Sequence, residues 1–400
     1  MRFQPNKLRH WLILGRSSLF LLVGALIRLV LGDTRGQRHQ VVLFEATFRP
    51  TIWDVVEAYR SAFPDSTRFL VTSFDRQHLE QVTKKHSDWV EPLPLDTLRG
   101  AITLARSHLA IFADRPRSLG ILAWLSDLPI IDVWHGISFK PIRRPSFLRR
   151  YREVWVASEF LADTYQRIAK LPRHKIRVLG HSPLDKYVNE SPSKEELRRR
   201  LHLPASNAPV VAFGTTWDPQ DPASPVPGLG SFGPDLFSRL SDWAAKQGAD
   251  VVIRNHHISG AAPQDAPPVF FRSQADYPSP VDLLKLADVF VTDWSSLAFE
   301  FAVMDKPTIF VDIPEKRPRR FFVAPEYRAG DILSTTDGLL SALTDALNAP
   351  SDYLATYRDA LAVVREKIIS DGKVGEASSK QALALRELVV TSTRRPRGQR

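Results

Sequence analysis

Two histidines occupy places where an α/β enzyme keeps its reacting groups. His135 stands in Trp134-His135-Gly136-Ile137-Ser138-Phe139-Lys140, directly after an apolar run from Pro129 to Trp134 that reads as a strand. An imidazole titrates near neutrality and can take a proton from a hydroxyl. Gly136 permits close backbone approach, and Lys140, one turn later, can meet a phosphate. A single histidine after a strand serves equally well as a structural hydrogen-bonding group, so the motif needs company. His256, in Arg254-Asn255-His256-His257, follows the strand Asp250 to Ile253 and mirrors in the second half of the chain the place of His135 in the first. Adjacent side chains diverge, and no HExxH or carboxylate pairing accompanies them, so a metal is not expected.

Two further post-strand segments carry hydroxyls. Thr292-Asp293-Trp294-Ser295-Ser296-Leu297-Ala298-Phe299-Glu300 bridges a strand from Ala287 to Val291 and a helix expected to run to about Met304. Ser295 or Ser296 can cap that helix, and a helix start with its N–H groups and positive dipole end can hold a pyrophosphate without a glycine fingerprint. The bland reading of the same residues is an ordinary N-cap. Gly214-Thr215-Thr216-Trp217 follows the strand Pro209 to Phe213, and its hydroxyls could reach the same phosphates. Phosphate-binding candidates are therefore Gly136, Lys140, Thr215, Thr216, Arg254, Asp293, Ser295 and Ser296. Two basic runs stand beside them: Lys140, Arg143, Arg144, Arg149, Arg150 and Arg152, and Lys316, Arg317, Arg319 and Arg320. Either is a solvated face or a surface for an anionic acceptor or bilayer.

The elements that must position these groups alternate. From Val41, short β-branched runs (Val41 to Ala46, Arg68 to Ser73, Leu109 to Ala113, Pro129 to Trp134, Glu153 to Ala157, Ile176 to Leu179) are separated by helix-length amphipathic stretches, among them one from Trp53 and one around Leu119 to Leu125. That alternation marks a parallel, doubly wound sheet. A polar stretch from Asn189 to Ser193 reads as a linker, and Ser193 as the cap of a helix from Lys194 to Leu201. A second series follows: Pro209 to Phe213, a loop from Pro219 to Gly233, a helix from Asp235, Asp250 to Arg254, a loop, Ala287 to Val291, a helix from Ser296, and Pro307 to Asp312. The expected fold class is α/β, with two Rossmann-like domains facing a cleft: 41–190 and 191–370, then a helix over 371–392 and a basic tail over 393–400. Ligands of such sheets lie beyond the C-terminal strand ends.

The 400 residues are 44% hydrophobic, enough for two cores, and the absence of cysteine excludes disulfides, thiolate metal sites and a cysteine nucleophile. A net charge of +10 favours anionic partners. No zinc finger, RRM-type aromatic pair or helix-turn-helix supports nucleic acid. Residues 1–40 hold an apolar run from Ser17 to Ile27 bracketed by Arg16 and Arg28. A spanning helix needs roughly 20 apolar residues, so the run reads as an interfacial helix with snorkelling arginines; a helix packed on the protein or a cleaved signal are the rivals.

Taken in order, the motifs resemble the CDP-glycerol glycerophosphotransferase family of teichoic-acid and capsular-polymer enzymes. Its W-H-G-x-x-x-K is matched by Trp134, His135, Gly136 and Lys140, and its S-D-Y-S-S-x-x-F-D and D-K-P by Thr292-Asp293-Trp294-Ser295-Ser296, Phe299-Glu300 and Asp305-Lys306-Pro307. Leu43-Phe44-Glu45-Ala46 with Asp54 resembles the opening motif, Gly180-His181-Ser182-Pro183-Leu184-Asp185 its G-x-P-R-x-D without the arginine, Thr216-Trp217 its P-T-W, Arg254-Asn255-His256-His257 its K-x-H-P, and Ala329-Gly330 a final P-G. The resemblance implies a GT-B-type fold with the donor held mainly by the C-terminal domain. It implies His135 as general base on an acceptor hydroxyl, and His256 with Lys140, Ser295 and Ser296 on the donor pyrophosphate as CMP leaves. No cofactor is implied, since the CDP-linked polyol is a substrate. The expected partners are that donor, a lipid-linked glycan acceptor and an anionic membrane surface, at the cytoplasmic face of the membrane. The alternatives are a GT-B glycosyltransferase or sugar-nucleotide epimerase, which share the fold, and a basic membrane- or nucleic-acid-binding protein.

Overall fold

The computed structural model describes residues 11, 15, 19, 22, 23, 26, 39–44, 50–64, 66–73, 76–94, 97–113, 128–133, 136–140, 145–216, 229, 232, 233, 235–255, 264–274, 276, 277, 279–313 and 321–393. The chain forms two compact units, one of Met1–His135, Arg144–Ser182 and Glu376–Arg400, the other of Gly136–Arg143 and Pro183–Gly375.

The first unit holds a seven-stranded parallel sheet: β1 (His39–Phe44), β2 (Thr67–Thr72), β3 (Val90–Pro92), β4 (Leu109–Phe112), β5 (Ile130–Asp132), β6 (Glu153–Val156) and β7 (Ile176–Val178), in the order β3-β2-β1-β4-β5-β6-β7. The inner strands read as continuous apolar runs because both faces are covered. The C-terminal helix Ala377–Thr393 belongs to this unit, with Leu385, Leu388 and Val389 in the same core as Val41, Leu43, Ile111 and Ile131. Each such fully buried side chain contributes about 1.5–3 kcal/mol.

The second unit carries a six-stranded parallel sheet: β8 (Val210–Phe213), β9 (Asp250–Asn255), β10 (Val269–Ser273), β11 (Val289–Thr292), β12 (Thr308–Val311) and β13 (Ile332–Leu333), in the order β10-β9-β8-β11-β12-β13. Its core joins Val211, Phe213, Val251, Val289, Val291 and Ile309 to helix residues Leu236, Leu240, Leu339 and Leu343. Ser193 caps the helix Lys194–Arg200 as expected: its hydroxyl accepts from the Glu196 N–H at 3.1 Å. Glu195 and Glu196 lie in the first turn and three arginines in the last, which suits the dipole.

The structure corrects the expected organisation in three places. The chain passes between units at Ser182 and Pro183, ahead of the Asn189 to Ser193 stretch. The helix Asp185–Asn189 is tied into the second unit, where Asp185 Oδ1 accepts from the Gly375 N–H at 2.9 Å and Asn189 Nδ2 donates to the Gly375 carbonyl at 2.8 Å. The loop expected between β9 and β11 contains β10, which pairs with β9 over Val269–Ser273. The segment Gly136–Arg143, expected in the first domain, belongs to the second unit. The expected helix around Leu119 to Leu125 and the tail 394–400 lie outside the described residues.

Candidate functional site

The central strands β8 and β11 are neighbours, so the loops after them leave the sheet side by side. Hydrogen bonds lock the two loops together. The Gly214 N–H donates to the Val291 carbonyl, and Thr292 Oγ1 donates to the Gly214 carbonyl, both at 2.9 Å. Asp293, fully buried, accepts from the Thr216 N–H at 2.9 Å through one carboxylate oxygen and from the Thr216 hydroxyl through the other. Gly214 is required by packing, since a Cβ there would lie 2.8 Å from the Phe290 ring. Asp293, named above among the phosphate candidates, therefore acts here as a clasp: its carboxylate is engaged by Thr216, and a carboxylate repels a phosphate. Thr215 and Thr216 remain half-buried at the strand end.

After Asp293 the chain turns into a helix of only five residues, Leu297–Phe301, which continues as a 3-10 turn over Ala302–Met304. So short a helix has a small macrodipole. Ser296 sits at its N-cap in α conformation without a side-chain cap bond, and Ser295 Oγ accepts from the Leu297 N–H at a long 3.4 Å. Glu300 is buried and accepts from the Tyr187 hydroxyl at 2.9 Å, which fastens the helix to Asp185–Asn189. Lys306, whose ammonium is lowered in pKa by burial, donates to the carbonyls of Lys285 and Ala287 at 2.9 and 2.6 Å, capping the end of the helix Val281–Leu286.

The segment that begins at Gly136 comes to this turn. A Cβ added to Gly136 would stand 2.9 Å from Ser296 Oγ and 3.1 Å from Ser296 Cβ, so the glycine backbone lies directly on that serine. Phe139, fully buried, packs against Phe299 at 4.5 Å between ring centroids and edge-on to Trp294 at 5.9 Å. Its carbonyl accepts from the Phe322 N–H at 3.0 Å. Lys140 is exposed one residue beyond. Arg254 lies near the end of β9, half-buried, and donates to the Tyr277 carbonyl at 3.3 Å.

Six of the ten residues singled out in the sequence, Gly136, Thr215, Thr216, Asp293, Ser295 and Ser296, are thus joined through direct contacts or adjacency in one corner of the second unit. Lys140 lies four residues along the chain from Gly136, and Arg254 stands on β9, next to β8 in the sheet. His135 and His256 lie outside the described residues, as do Trp217, Arg143, Arg144 and Lys316 to Arg320. Among the described residues no group of three or more His, Cys, Asp or Glu side chains is arranged to hold a metal ion. Sequence reasoning missed Tyr187, Phe139, Asp312 and Arg328. The guanidinium of Arg328 lies 4.1 Å above the Trp294 ring, and its Nη1 is 3.6 Å from Asp312 Oδ1. Nothing in the local sequence around Arg328 signals a stack on a residue 34 positions earlier.

Comparison with known proteins shows the family and the fold. The model of a family described as CDP-glycerol:poly(glycerophosphate) glycerophosphotransferase matches residues 34–376. The chain is 23% identical over 286 residues to the teichoic acid glycerol-phosphate primase of Bacillus spizizenii, covering 62% of this chain and 72% of the primase. It is 25% identical over 236 residues to the teichoic acid ribitol-phosphate polymerase TarL of Staphylococcus aureus, covering 54% of this chain and 41% of the polymerase. The structure is similar to that of the wall teichoic acid polymerase TagF, with a TM-score of 0.73 and 16% identity over 95% of both chains, which shows a shared fold.

Proposed function

Because the chain belongs to the CDP-glycerol:poly(glycerophosphate) glycerophosphotransferase family, we propose that it moves glycerol phosphate from CDP-glycerol onto a hydroxyl of a membrane-linked glycan or polymer and releases CMP. The observation that carries this reading is the seat of Gly136 on Ser296. Gly136 directly follows His135 in the sequence, and it lies at the turn where Thr215, Ser295 and Ser296 follow β8 and β11.

The donor's diphosphate is held at this turn by those hydroxyls, with Lys140, Arg254 and His256 neutralising its charge. His135 takes the proton of the acceptor hydroxyl as that oxygen attacks the β-phosphorus. The bond from the β-phosphorus to the bridging oxygen breaks, a phosphodiester to glycerol forms, and CMP carries away the bridging oxygen and its electron pair. Phosphoryl transfer depends mainly on positioning and charge neutralisation, and two loops bracketed by buried hydrogen bonds supply a rigid frame for both.

The same reading puts the enzyme at the cytoplasmic face of the membrane as a peripheral protein. Trp11, Leu19, Leu22 and Leu26 are helical and 51%, 60%, 45% and 58% exposed. Exposed apolar side chains in a segment rich in arginine suit the boundary between headgroups and acyl chains. Among the described residues no helix is long and apolar enough to cross a membrane.

The test of the mechanism is His135→Ala, assayed by CMP release from CDP-glycerol with a lipid-linked acceptor. Turnover should vanish while donor binding and thermal unfolding stay as in the wild type. Undiminished CMP release would remove His135 from the chemistry.

A further inference from the structure

We propose that Arg328 is a positioning residue for donor binding, acting through Trp294 to fix the serine turn; this rests on the reading just given, in which that turn takes the diphosphate.

Trp294 stands between the clasp at Asp293 and the hydroxyls of Ser295 and Ser296, so the place of its ring sets the path of the turn. The ring is 1% exposed, and its indole N–H has no hydrogen-bond partner among the described residues. Buried tryptophans normally anchor themselves through that N–H. Here the ring is held by contacts of its π-system: Phe139 edge-on at 5.9 Å, Phe321 at 5.2 Å, and the Arg328 guanidinium over its face at 4.1 Å. Of these the cation is the strongest, because a desolvated guanidinium gains most from an indole face.

The side chain of Arg328 is only 7% exposed, and its charge is balanced by Asp312 at 3.6 Å. Burying a cation is costly even when it is paired, and an apolar side chain of similar length would fill the space without that cost. The fold also delivers Arg328 on a stiff support. Two residues on, Gly330 lies so close to β12 that a Cβ would stand 1.9 Å from the Thr308 carbonyl oxygen. The Tyr353 hydroxyl donates to that same carbonyl at 3.0 Å and accepts from the Asp331 N–H at 3.1 Å. The stack of Arg328, Trp294 and Phe139 therefore joins three segments: the loop after β12, the serine turn, and the segment from Gly136 that lies on Ser296.

The experiment is a double-mutant cycle on the full-length protein with Arg328→Met, which keeps the stem and loses the charge, and Trp294→Phe, which weakens the π-face. CDP-glycerol binding is measured by calorimetry, and its KM and kcat by CMP release. Arg328→Met should raise KM and the dissociation constant about tenfold, with kcat within about threefold of the wild type. Arg328→Lys, which keeps a cation but not its plane, should recover part of the loss. Adding Trp294→Phe to Arg328→Met should change little further, because both remove one interaction. Unchanged donor affinity in Arg328→Met, or effects of the two substitutions that multiply, would overturn the inference. If Arg328→Met does not fold, Arg328→Lys carries the same cycle, and an affinity equal to the wild type there counts against the proposal. A wild-type protein that does not bind CDP-glycerol refutes instead the function on which the inference rests.

Discussion

The contact between Gly136 and Ser296 can be perturbed by a single methyl group. Gly136→Ala places a Cβ 2.9 Å from Ser296 Oγ and 3.1 Å from Ser296 Cβ, where carbon atoms prefer about 3.5–4.0 Å. The hydroxyl can rotate away. The Cβ cannot, because the turn is pinned on one side by the Asp293 clasp and on the other by the packing of Phe139 on Phe299. Overpacking of this kind costs about 1–3 kcal/mol. In a unit of roughly 200 residues each kcal/mol moves the thermal midpoint by about 2–4 °C, so the substitution should lower it by about 2–12 °C. Differential scanning calorimetry of the full chain reads this directly. The decisive variant is Gly136→Ala combined with Ser296→Gly, which removes both opposing atoms and should return most of the lost stability, although Ser296→Gly alone stabilises nothing. A Gly136→Ala midpoint equal to the wild type, or a loss that Ser296→Gly leaves untouched, would refute the seating of Gly136 on the serine turn.

Three further outcomes follow from the same geometry. Asp293→Asn keeps the shape of the clasp and loses its charge, so the two hydrogen bonds to Thr216 weaken by about 1–2 kcal/mol in total, whereas Asp293→Ala abandons both; donor affinity and thermal midpoint should fall in that order, and equal values for the two variants would contradict the clasp. Deleting residues 1–38 should move the protein from vesicles to the supernatant while CMP release on a soluble acceptor persists, and a truncated protein that still sediments with anionic vesicles would place the membrane contact elsewhere. His86 stacks on the Trp53 ring at 4.1 Å, and burial, with Lys85 nearby, holds its pKa below the ordinary 6.5. The unfolded chain therefore takes the proton first as pH falls through 6.5, and stability declines from there until the lower folded pKa is passed; His86→Phe should flatten that part of the profile, and an unchanged slope would exclude His86 as its source.

Much of this arrangement is legible in the sequence, and the reason is local. Strands such as Val210–Phe213 and Val289–Thr292 are unbroken apolar runs because a parallel sheet buries both faces, and the hydroxyl-bearing residues directly after them can only emerge at the C-terminal edge. The Ser193 cap was readable for the same reason, since a cap acts within three residues. What escaped was long-range or too short. β13 has two residues, and β10 follows a Pro-Pro pair that punctuates like a loop. The passage of Gly136–Arg143 into the second unit depends on Phe139 meeting Phe299 and Trp294, rings some 150 positions away along the chain. The clasp of Asp293 on Thr216 is not legible in the sequence, because the two residues meet only when β8 and β11 lie side by side. The helix after Ser296 is expected to run to about Met304, whereas only Leu297–Phe301 is α-helical and Ala302–Met304 is a 3-10 turn, so its macrodipole is small.

Phosphorus NMR of purified protein with CDP-glycerol, CDP-ribitol and a UDP-sugar, each supplied with a lipid-linked acceptor in vesicles, separates the chemistries by what becomes of the diphosphate. The arrangement described here requires the CDP-glycerol diphosphate resonances to decay into one phosphomonoester, CMP, and one new phosphodiester on the acceptor, with the UDP-sugar left intact. Persistent CDP-glycerol alongside loss of the UDP-sugar diphosphate would show that the turn beside Gly136 serves another reaction.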